Sequence, residues 1–354
     1  VYNVTDPSNP VLAQLLPSGV APEGAVAIPE RALLVTANEA DLGEDGAARS
    51  HVMIYQHAAG APSYPHLTSA GSDALIGWSA LSGLAADPEQ NGVFYAVNDS
   101  FFGYQPTIFT IDSTQTPARI TNALPVTRAG YPAQKLDMEG IAPDGDGGFW
   151  IASEGRTDRM IPHAVYHVDA SGEITAEIPF PPELLAVEAR FGAEGITVVG
   201  DKLWIAIQRN WGDDAPNMVK LVAYDLKTEE WGAVLYERTA PATGWVGLSE
   251  IVAHGDFVYL IERDNQIGNN AVTKLITRVP LSEMVAAPLG GPLPVVSHEV
   301  VLDLLPILKA TGGYVVDKVE GLAFDADGNA WIVTDNDGVD DSSGETLFLN
   351  LGPL

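Results

Sequence analysis

A unit of about 57 residues recurs along this chain, and it limits the possible folds more than any other feature of the sequence. The segment KLDMEGIAPDGDGGFWIASE, residues 135–154, shows the unit most clearly. Glu139 and Gly140 open an apolar strand, the Asp-Gly-Asp-Gly-Gly run at 144–148 has the chemistry of a tight turn, and a second apolar strand ends at Glu154. Because the start of one hairpin strand lies beside the end of the other, we expect Glu139 and Glu154 to meet at one edge of a sheet.

Six copies of this unit are present, and each is followed by a polar loop and a further short strand. Four short strands per copy, repeated in this way, predict an all-β fold, a six-bladed β-propeller, as one domain over residues 1–354. The predicted blade cores lie near residues 22–56, 81–112, 138–169, 193–225, 248–281 and 319–351. Short strands predicted within residues 1–17 are expected to close the ring as the outer part of the sixth blade.

The composition excludes several classes of function. The chain carries a formal net charge of -29, so nucleic acid and anionic membrane surfaces are poor partners, whereas cations, or anions held through cations, are good ones. It contains no cysteine, which excludes thiol nucleophiles and thiolate metal sites. No apolar run of about 18 residues or more occurs, so membrane insertion through a helix is not expected.

The repeat predicts a ring of carboxylates. The inner strand of each propeller blade lines the central channel, so the glutamates that open these strands should surround one mouth of it, beside the acids that end the second strand. Like charges this close raise one another's pKa values and call for a cation, and calcium accepts six to eight oxygen ligands in flexible geometry. The predicted calcium ligands are Glu23, Glu39, Glu139, Glu154, Glu194, Glu250, Glu262, Glu320 and Asp335.

Two alternatives stay open for these acidic residues. A glutamate repeated before glycine can cap backbone N–H groups of the next blade, a role that needs no metal. The acidic loop DNDGVDD at residues 335–341 is a separate candidate for calcium. Asp99, Asp264 and Asp337 also end second strands and are expected close to the ring.

Basic residues are scarce, but several of them gather at the same rim. Arg and Lys beside a bound metal can cradle a phosphate or a carboxylate, although the same residues can also be simple ion pairs. Lys135 and Arg190 each stand four residues before a Glu-Gly pair, so neighbouring blades present the same cation-then-carboxylate arrangement. The predicted substrate-binding residues are Lys135, Arg156, Arg190, Arg209, Arg263 and Lys318, and the predicted partner is a small phosphoester or another small anion.

The segments DMEGIAP, GGFWIASEG, FGAEGITV and VEGLAFDADGNAWIVTDND, in this order and spacing, resemble the phytase-like family described as having esterase-like activity. The resemblance covers about residues 70–354 and implies a β-propeller hydrolase that acts on phosphoesters with calcium. By resemblance, the functional positions are Glu139, Glu154, Arg190, Glu194 and Glu320. The second copy departs from the pattern at Ser82 and the fourth at Arg209, which favours an off-centre metal site. Residues 1–56 instead resemble the repeat of extracellular propeller modules.

The sequence therefore predicts a periplasmic or extracellular, calcium-dependent hydrolase of phosphoesters whose site lies at the acidic channel mouth. Glu139, Glu194 and Glu320 are the predicted catalytic residues, either as calcium ligands or as the general base that activates water. A calcium-dependent lactonase or sugar-ester hydrolase is the alternative enzyme. An extracellular binding module with structural calcium is the alternative without catalysis.

Overall fold

The computed structural model of the protein describes residues 1–43, 49–60, 64–72, 74–102, 105–188, 190–313, 315–339 and 346–354. Nearly all of its regular structure is β-strand, which confirms the all-β prediction. The two α-helices of these residues, α1 (Pro182–Leu185) and α2 (Leu305–Ala310), are short. Among the described residues, no helix has the length and apolar character needed to cross a membrane. Single 3₁₀ turns occupy Pro29–Arg31, Ser100–Phe102, Thr157–Arg159, Gly268–Asn270, Leu281–Glu283 and Asp337–Val339.

Two small sheets come first in the chain. Strands β1 (Tyr2–Asn3) and β2 (Val11–Leu12) form an exposed antiparallel pair. Strands β3 (Pro22–Ile28), β4 (Leu33–Asn38) and β5 (His51–Gln56) form an antiparallel sheet in the order β3-β4-β5.

The sheets that follow are blades 1 to 5, each named in chain order and read from its innermost strand outward. Blade 1 contains β6 (Leu67–Thr68), β7 (Leu81–Ala86), β8 (Val93–Asn98), β9 (Thr107–Asp112) and β10 (Ala118–Pro125) in the order β7-β8-β9-β10-β6. The ribbon of β11 (Thr127–Arg128) and β12 (Tyr131–Pro132) follows. Blade 2 contains β13 (Met138–Pro143), β14 (Phe149–Ser153), β15 (Ala164–Val168) and β16 (Ile174–Pro179).

The remaining strands build three more blades. Blade 3 starts with β17 (Ala193–Val199), β18 (Lys202–Ile207), β19 (Met218–Asp225) and β20 (Trp231–Glu237). Blade 4 starts with β21 (Val246–His254), β22 (Phe257–Asp264) and β23 (Lys274–Pro280). Strand β24 (Ala287–Pro288) returns to pair with β20, and β25 (Glu299–Asp303) completes blade 4 beside β23. Blade 5 contains β26 (Val319–Phe324), β27 (Asn329–Thr334) and β28 (Phe348–Pro353).

The innermost strands β7, β13, β17, β21 and β26 adjoin one another in a closed ring. Glycine permits the close approach, because a Cβ atom on Gly140 would lie 2.4 Å from the carbonyl oxygen of Glu194 in the next strand. A Cβ atom on Gly321 would lie 2.8 Å from the carbonyl oxygen of Ser82. The second contact joins blade 5 to blade 1, so the ring closes with five blades.

Apolar side chains fill the space between consecutive blades. Each hydrophobic core cluster of the described residues combines side chains from two neighbouring blades. Between blades 5 and 1, the ring of Phe94 packs against those of Trp331 and Phe348 at centroid distances of 5.2 and 5.5 Å. Each blade is therefore stabilised by burial against both of its neighbours.

The predicted count of six blades is not confirmed. The sheet at residues 22–56 carries the same Glu-Gly hairpin signal as the blades, but it lies outside the ring of inner strands. Its Val26, Val52 and Ile54 are 55%, 61% and 68% exposed. A hairpin pattern is local, whereas membership of the ring requires both faces of a sheet to pack against neighbours, which the pattern does not encode.

The predicted closure of the ring by residues 1–17 is also corrected. The segment just before blade 1 takes this role, because His66 bridges to Leu347 and the amide of Phe348 donates to the carbonyl oxygen of Pro65 at 2.7 Å. Strand β6 of the same segment then pairs with β10 in parallel. The first and last parts of the propeller thus interlock next to blade 5.

Candidate active site

A β-bulge opens the inner strand of every blade and aims one side chain at the channel. In β13 the pairing register shifts between Met138 and Gly140, and equivalent shifts occur near the start of β7, β17, β21 and β26. A bulge bends its strand and re-aims the side chain beside it. The residues at this position are Ser82, Glu139, Glu194, Ser249 and Glu320, and the channel end where these strands begin is called the acidic mouth. Glu250 instead takes the place of the glycine that follows this position in the other inner strands.

Asp137, Glu139 and Glu154 form the first carboxylate cluster: one oxygen atom of each lies within 4.8 Å of the others. The amide of Glu154 donates to the carbonyl oxygen of Asp137 at 2.8 Å, so the two ends of the hairpin meet as the sequence predicts. Asp137 and Glu154 are buried, whereas Glu139 is half-buried. The hydroxyl of Ser82 donates to Oε2 of Glu139 at 2.5 Å, so the serine that replaces a glutamate in blade 1 orients the glutamate of blade 2.

A second cluster contains Asp99, Asp335 and Asp337, again with one oxygen atom of each within 4.8 Å of the others. The Nζ of Lys318 donates to Oδ2 of Asp335 at 3.0 Å and to Oδ1 of Asp337. Lys318, a predicted substrate ligand, is therefore an ion-pair partner of this cluster, because its donors already serve two carboxylates. The predicted calcium loop at 335–341 ends in residues 340 and 341, which lie outside the described residues.

Burial is the main reason that the carboxylates at the mouth have raised pKa values. It raises the pKa of Asp99 to about 8, of Glu154 to about 7 and of Asp335 to about 6. Burial and then the charge of Glu194 raise the pKa of Glu139 well above its usual range. In the absence of a cation, these groups retain protons near neutral pH that an isolated carboxyl group would release.

The donor atoms of both clusters fit a hard cation. All of them are carboxylate oxygens, which calcium prefers, and neither cluster contains a histidine nitrogen. At the same mouth, Oε2 of Glu320 is buried and has no hydrogen-bond partner among the described residues. An unpartnered buried carboxylate oxygen is costly, and a bound cation would compensate it.

Glu250 has a different role from the one predicted. Its Oε1 accepts a hydrogen bond from the amide of Ile251 at 3.0 Å, and its Oε2 accepts one from the amide of Leu84 at 3.2 Å. The amide of Leu322 also donates to this carboxylate. These amides belong to three inner strands, so the carboxylate lies near the ring axis and caps backbone groups, the alternative to metal binding that the sequence leaves open.

A cavity of about 340 Å³ lies on the opposite side of this carboxylate from the acidic mouth. Every inner strand contributes to its wall, with Leu84, Ile141, Ile196, Ile251 and Ala323 among the lining residues. Glu250 therefore separates a polar end of the channel from a largely apolar one.

Glu194 and Glu320 are buried at the mouth and bound by protein partners. The Nε2 of Gln208 donates to Oε1 of Glu194 at 2.7 Å. The Nη2 of Arg263 donates to Oε1 of Glu320 at 2.5 Å, and its Nη1 lies 3.3 Å from Asp317. Arg263 is thus an internal counter-ion rather than the predicted substrate ligand, because it is buried and its donors are directed at protein groups.

Three further predicted metal ligands lie away from the mouth. Glu23 and Glu39 are exposed in the sheet outside the ring. Glu262 is buried in blade 4, where it accepts a hydrogen bond from the hydroxyl of Tyr236 in blade 3. Side chains alternate between the two faces of a strand, and the neighbouring Arg263 takes the position that faces the mouth.

Arg190 and Arg209 of blade 3 lie beside the first cluster. The charge of Arg190 acts on the pKa of Glu154, and the charge of Glu154 acts on that of Arg209. Neither guanidinium forms a hydrogen bond or an ion pair with any other described residue. Burial lowers the pKa of Arg209 to about 10, and the charge of Arg190 contributes. Two cations that have no partner among the described residues therefore stand next to a group of carboxylates.

Arg156 also acts electrostatically on Glu154, as its predicted place at the rim requires. Lys135 does not follow the pattern of Arg190, although both precede a Glu-Gly pair by the same number of residues. It is exposed, with its backbone at a positive φ of 64°, and its Nζ donates to the carbonyl oxygen of Arg159 at 3.0 Å. This backbone turn directs its side chain to a neighbouring loop, so the predicted symmetry of the two blades does not hold.

Sequence reasoning missed Asp137, Phe191 and Trp245. Asp137 precedes the Glu-Gly pair and completes the first cluster, and an acidic residue two positions before Glu139 was an available signal. Phe191 and Trp245 come from different blades, and no spacing in the sequence connects them. Their rings lie 6.3 Å apart with the guanidinium of Arg209 beside both.

Comparison with known proteins gives one match to a family. A family model described as "Phytase-like: Esterase-like activity of phytase" matches residues 76–338. No curated protein sequence matches the chain.

Several solved structures show a general likeness in fold. They include a glutaminyl cyclase from Myxococcus xanthus, with 11% identity, 81% of this chain and 94% of that chain covered, and a TM-score of 0.43. The allergen Mala s 1 from Malassezia sympodialis has 10% identity, 73% and 89% coverage, and a TM-score of 0.41. A gluconolactonase from Xanthomonas campestris has 12% identity, 95% and 88% coverage, and a TM-score of 0.39. Likenesses this distant carry no information about function.

Proposed function

The chain belongs to the Phytase-like family, described as esterase-like activity of phytase, and from that premise we propose that it is a calcium-dependent hydrolase of phosphoesters with its active site at the acidic mouth. The family supports a hydrolase. The metal and the substrate are the parts of the proposal that rest on the site itself.

One arrangement carries the proposal: a carboxylate cluster and two arginines, Arg190 and Arg209, which have no ion-pair partner in the described part of the chain, share Glu154 as a neighbour. A carboxylate oxygen of Glu154 lies within 4.8 Å of one from Asp137 and one from Glu139. Glu154 also accepts a hydrogen bond of 2.8 Å from the amide of Gly192, which follows the arginine-bearing turn at residues 190–191. A site for a cation and a site for an anion therefore adjoin. A phosphate that is bound to calcium on one side and to guanidinium groups on the other requires this arrangement.

The residues divide into two sets. Asp137, Glu139 and Glu154 would hold the ion, because their oxygen atoms converge. When bound there, calcium would lower the pKa of a water molecule and screen the charge of the phosphate. Arg190 and Arg209 would bind the phosphate oxygens through charge-assisted hydrogen bonds.

Hydrolysis forms a bond from the water oxygen to phosphorus while the ester P–O bond breaks, and the alcohol leaves with a proton. Glu194 is our choice for the group that accepts the proton of the water. Gln208 holds its Oε1 in place, and its Oε2 has no partner among the described residues. Glu320, the other predicted catalytic residue, supports the site through its ion pair with Arg263.

The location outside the cytoplasm remains part of this proposal. Extracellular calcium modules bind their ion with dissociation constants of about 10⁻⁴–10⁻³ M, which suits compartments rich in calcium. The alternative of a binding module with structural calcium has one observation in its favour. Lys318 and Arg263 already neutralise part of the mouth, as they would in a site built for stability alone.

The test is hydrolysis of an aryl phosphate by the purified protein in millimolar calcium, before and after removal of calcium by a chelator. We expect turnover that chelation abolishes and added calcium restores, and we expect Glu194→Gln to lower kcat without a change in the melting temperature. Turnover of lactones in place of phosphoesters would support the alternative enzyme. Stabilisation by calcium without turnover of any ester would support the binding module.

A further inference from the structure

The guanidinium of Arg209 lies between two aromatic rings. Its Cζ atom is 3.2 Å from the centroid of the Phe191 ring and 4.4 Å from that of the Trp245 ring, and these centroids are 6.3 Å apart. The three distances place the guanidinium in the wedge between the rings, in contact with both. Cation–π contact stabilises this position. A guanidinium donates its hydrogen bonds in its own plane, so a ring contact that fixes this plane also fixes the direction of its donors.

The Phe191 ring is held in place by a strained turn. The backbone of Phe191 has a φ of 79°, in the left-handed region that a bulky side chain rarely adopts. The indole nitrogen of Trp211 donates to the carbonyl oxygen of Phe191 at 3.3 Å, and the amide of Gly192 donates to Oε1 of Glu154 at 2.8 Å. These two hydrogen bonds hold the strained turn in place, and the acceptor of the second belongs to the carboxylate cluster.

Gly192 is also required for steric reasons. A Cβ atom at this position would lie 2.5 Å from Nδ1 of His163, whose ring is buried against Phe180 and Trp211. Any side chain at residue 192 would push the turn out of place. The position of Phe191 is therefore set by the packing of the blade beneath it.

The edge of Arg209 has no partner in the described part of the chain. Its Nε is buried without a hydrogen bond, and no carboxylate lies within ion-pair distance of its guanidinium. Arg190 lies near the same ring, with its Cζ 5.0 Å from the centroid of Phe191, and it likewise has no ion-pair partner among the residues that the structure describes. The surroundings thus provide donors and positive charge for an oxyanion that the described residues do not supply.

We propose that Phe191 and Trp245 are positioning residues, which fix the edge of Arg209 beside the first carboxylate cluster so that it binds two oxygens of one oxyanion in the guanidinium plane. This rests on the proposed function, because it assigns the phosphate of the substrate to that edge. We call Phe191 and Trp245 the aromatic clamp. Because the clamp fixes the plane of the guanidinium, binding of the oxyanion depends on the shape of the side chain at residue 209 as well as on its charge. A lysine at residue 209 would carry the same charge, but an ammonium group has no planar fork and makes a weaker contact with an aromatic ring.

The test uses inorganic phosphate as the probe, and its dissociation constant is measured by isothermal titration calorimetry in millimolar calcium. Arg209→Lys should weaken phosphate binding by about ten-fold or more, because the charge remains and the fork is lost. Phe191→Leu should weaken it by about five-fold, and Phe191→Tyr, which keeps the ring, should bind as the wild type does. On an aryl phosphate, Phe191→Leu should raise KM while kcat stays within about two-fold.

Two results would overturn the proposal. One is a wild-type protein that does not bind phosphate at all. The other is unchanged phosphate affinity in Arg209→Lys and Phe191→Leu, with the wild type binding. Because Phe191 lies in a strained turn, thermal melts accompany each variant, and Trp245→Leu tests the second ring without altering that turn. Phosphate binding that follows the expected order in a protein without esterase turnover supports the clamp and contradicts only the proposed function.

Discussion

The backbone amide of Gly192 donates a hydrogen bond of 2.8 Å to Oε1 of Glu154, across the boundary between blades 2 and 3. The two residues are 38 positions apart in the sequence. This bond joins the carboxylate cluster of one blade to the arginine-bearing turn of the next, so the candidate site belongs to the interface between two blades rather than to the ring as a whole.

Arg190 and Lys135 form a matched pair for mutation, because they stand at the same offset before a Glu-Gly pair and only Arg190 lies beside Glu154. Arg190→Ala should raise KM for an aryl phosphate by about ten- to a hundred-fold, the usual cost of a lost charge-assisted contact of about 1.5–3 kcal/mol. Lys135→Ala should leave KM unchanged. Equal effects of the two variants, measured in steady-state kinetics, would show that general charge matters and the position does not.

Calcium should stabilise the protein, since a ligand that binds only the native state does so in proportion to the logarithm of its concentration above Kd. At a hundred times Kd the gain is about 2.7 kcal/mol, which differential scanning calorimetry resolves easily. Glu154→Gln should reduce this gain, whereas Glu23→Gln, in the sheet outside the ring, should not. A gain that survives in Glu154→Gln and disappears in Glu23→Gln would place the ion elsewhere.

Gly140→Ala should destabilise the ring, because the added Cβ would lie 2.4 Å from the carbonyl oxygen of Glu194 in the next inner strand. Overpacking against backbone typically costs about 1–3 kcal/mol. Gly24→Ala is the control: it alters the Glu-Gly pair of the first sheet, where the nearest atom would be 3.9 Å away. Urea unfolding of both variants would show whether the glycine is needed for the close packing of inner strands or for the hairpin itself. Equal unfolding midpoints would contradict a role in the packing of the ring.

Glu250→Ala should cost at least about 2 kcal/mol, because it leaves the buried amides of Leu84 and Ile251 without their acceptor. Glu250→Gln keeps one acceptor oxygen and should cost less. Calcium affinity should be the same in both variants and the wild type, since this carboxylate caps backbone groups. A clear loss of calcium affinity in Glu250→Gln would restore the metal role that the sequence suggested.

The stability of the calcium-free protein should fall as pH rises from 6.5 to 8.5. Asp99 and Glu154 have folded-state pKa values of about 8 and 7, above the usual carboxyl value of about 4. A carboxyl group with a raised pKa binds more protons when folded, so its stabilising contribution is complete at low pH and is lost as pH rises through the folded value.

Burial lowers the pKa of His163, so protonation of His163 opposes folding only as pH falls below about 6.5, outside this window. Calcium should replace the protons that these carboxyl groups retain, so the stability of the calcium-bound protein should depend less on pH. Melting curves at several pH values, with and without a chelator, provide the measurement. A chelator-treated protein that becomes more stable towards pH 8.5 would contradict the assigned pKa shifts.

The hairpins of the blades and the meeting of Glu139 with Glu154 could be predicted from the sequence, because both follow from the pattern within one unit. The number of blades could not. Glu23 and Gly24 repeat the local signal of Glu139 and Gly140, yet ring membership depends on packing against other blades, which a local pattern does not contain.

The sequence pattern also does not show which carboxylates are placed to bind a metal ion and which cap backbone amides. Glu250 reaches amides of three inner strands because it stands at the position that Gly140 takes in blade 2, one residue after the position of Glu139. The aromatic clamp on Arg209 was missed for a similar reason, since Phe191 and Trp245 meet through the geometry of two separate turns. Contacts that depend on how neighbouring blades are oriented are not visible in one-dimensional spacing.

The carboxylate of Glu250 lies near the axis and binds amides from several strands, so it has a consequence for the two ends of the channel. This carboxylate lies between the acidic mouth and the apolar cavity and is bound by backbone amides of the inner strands, so we expect a molecule bound at the mouth to enter and leave on that side. If the proposed hydrolase site lies at this mouth, each product has to leave through the opening by which the next substrate enters.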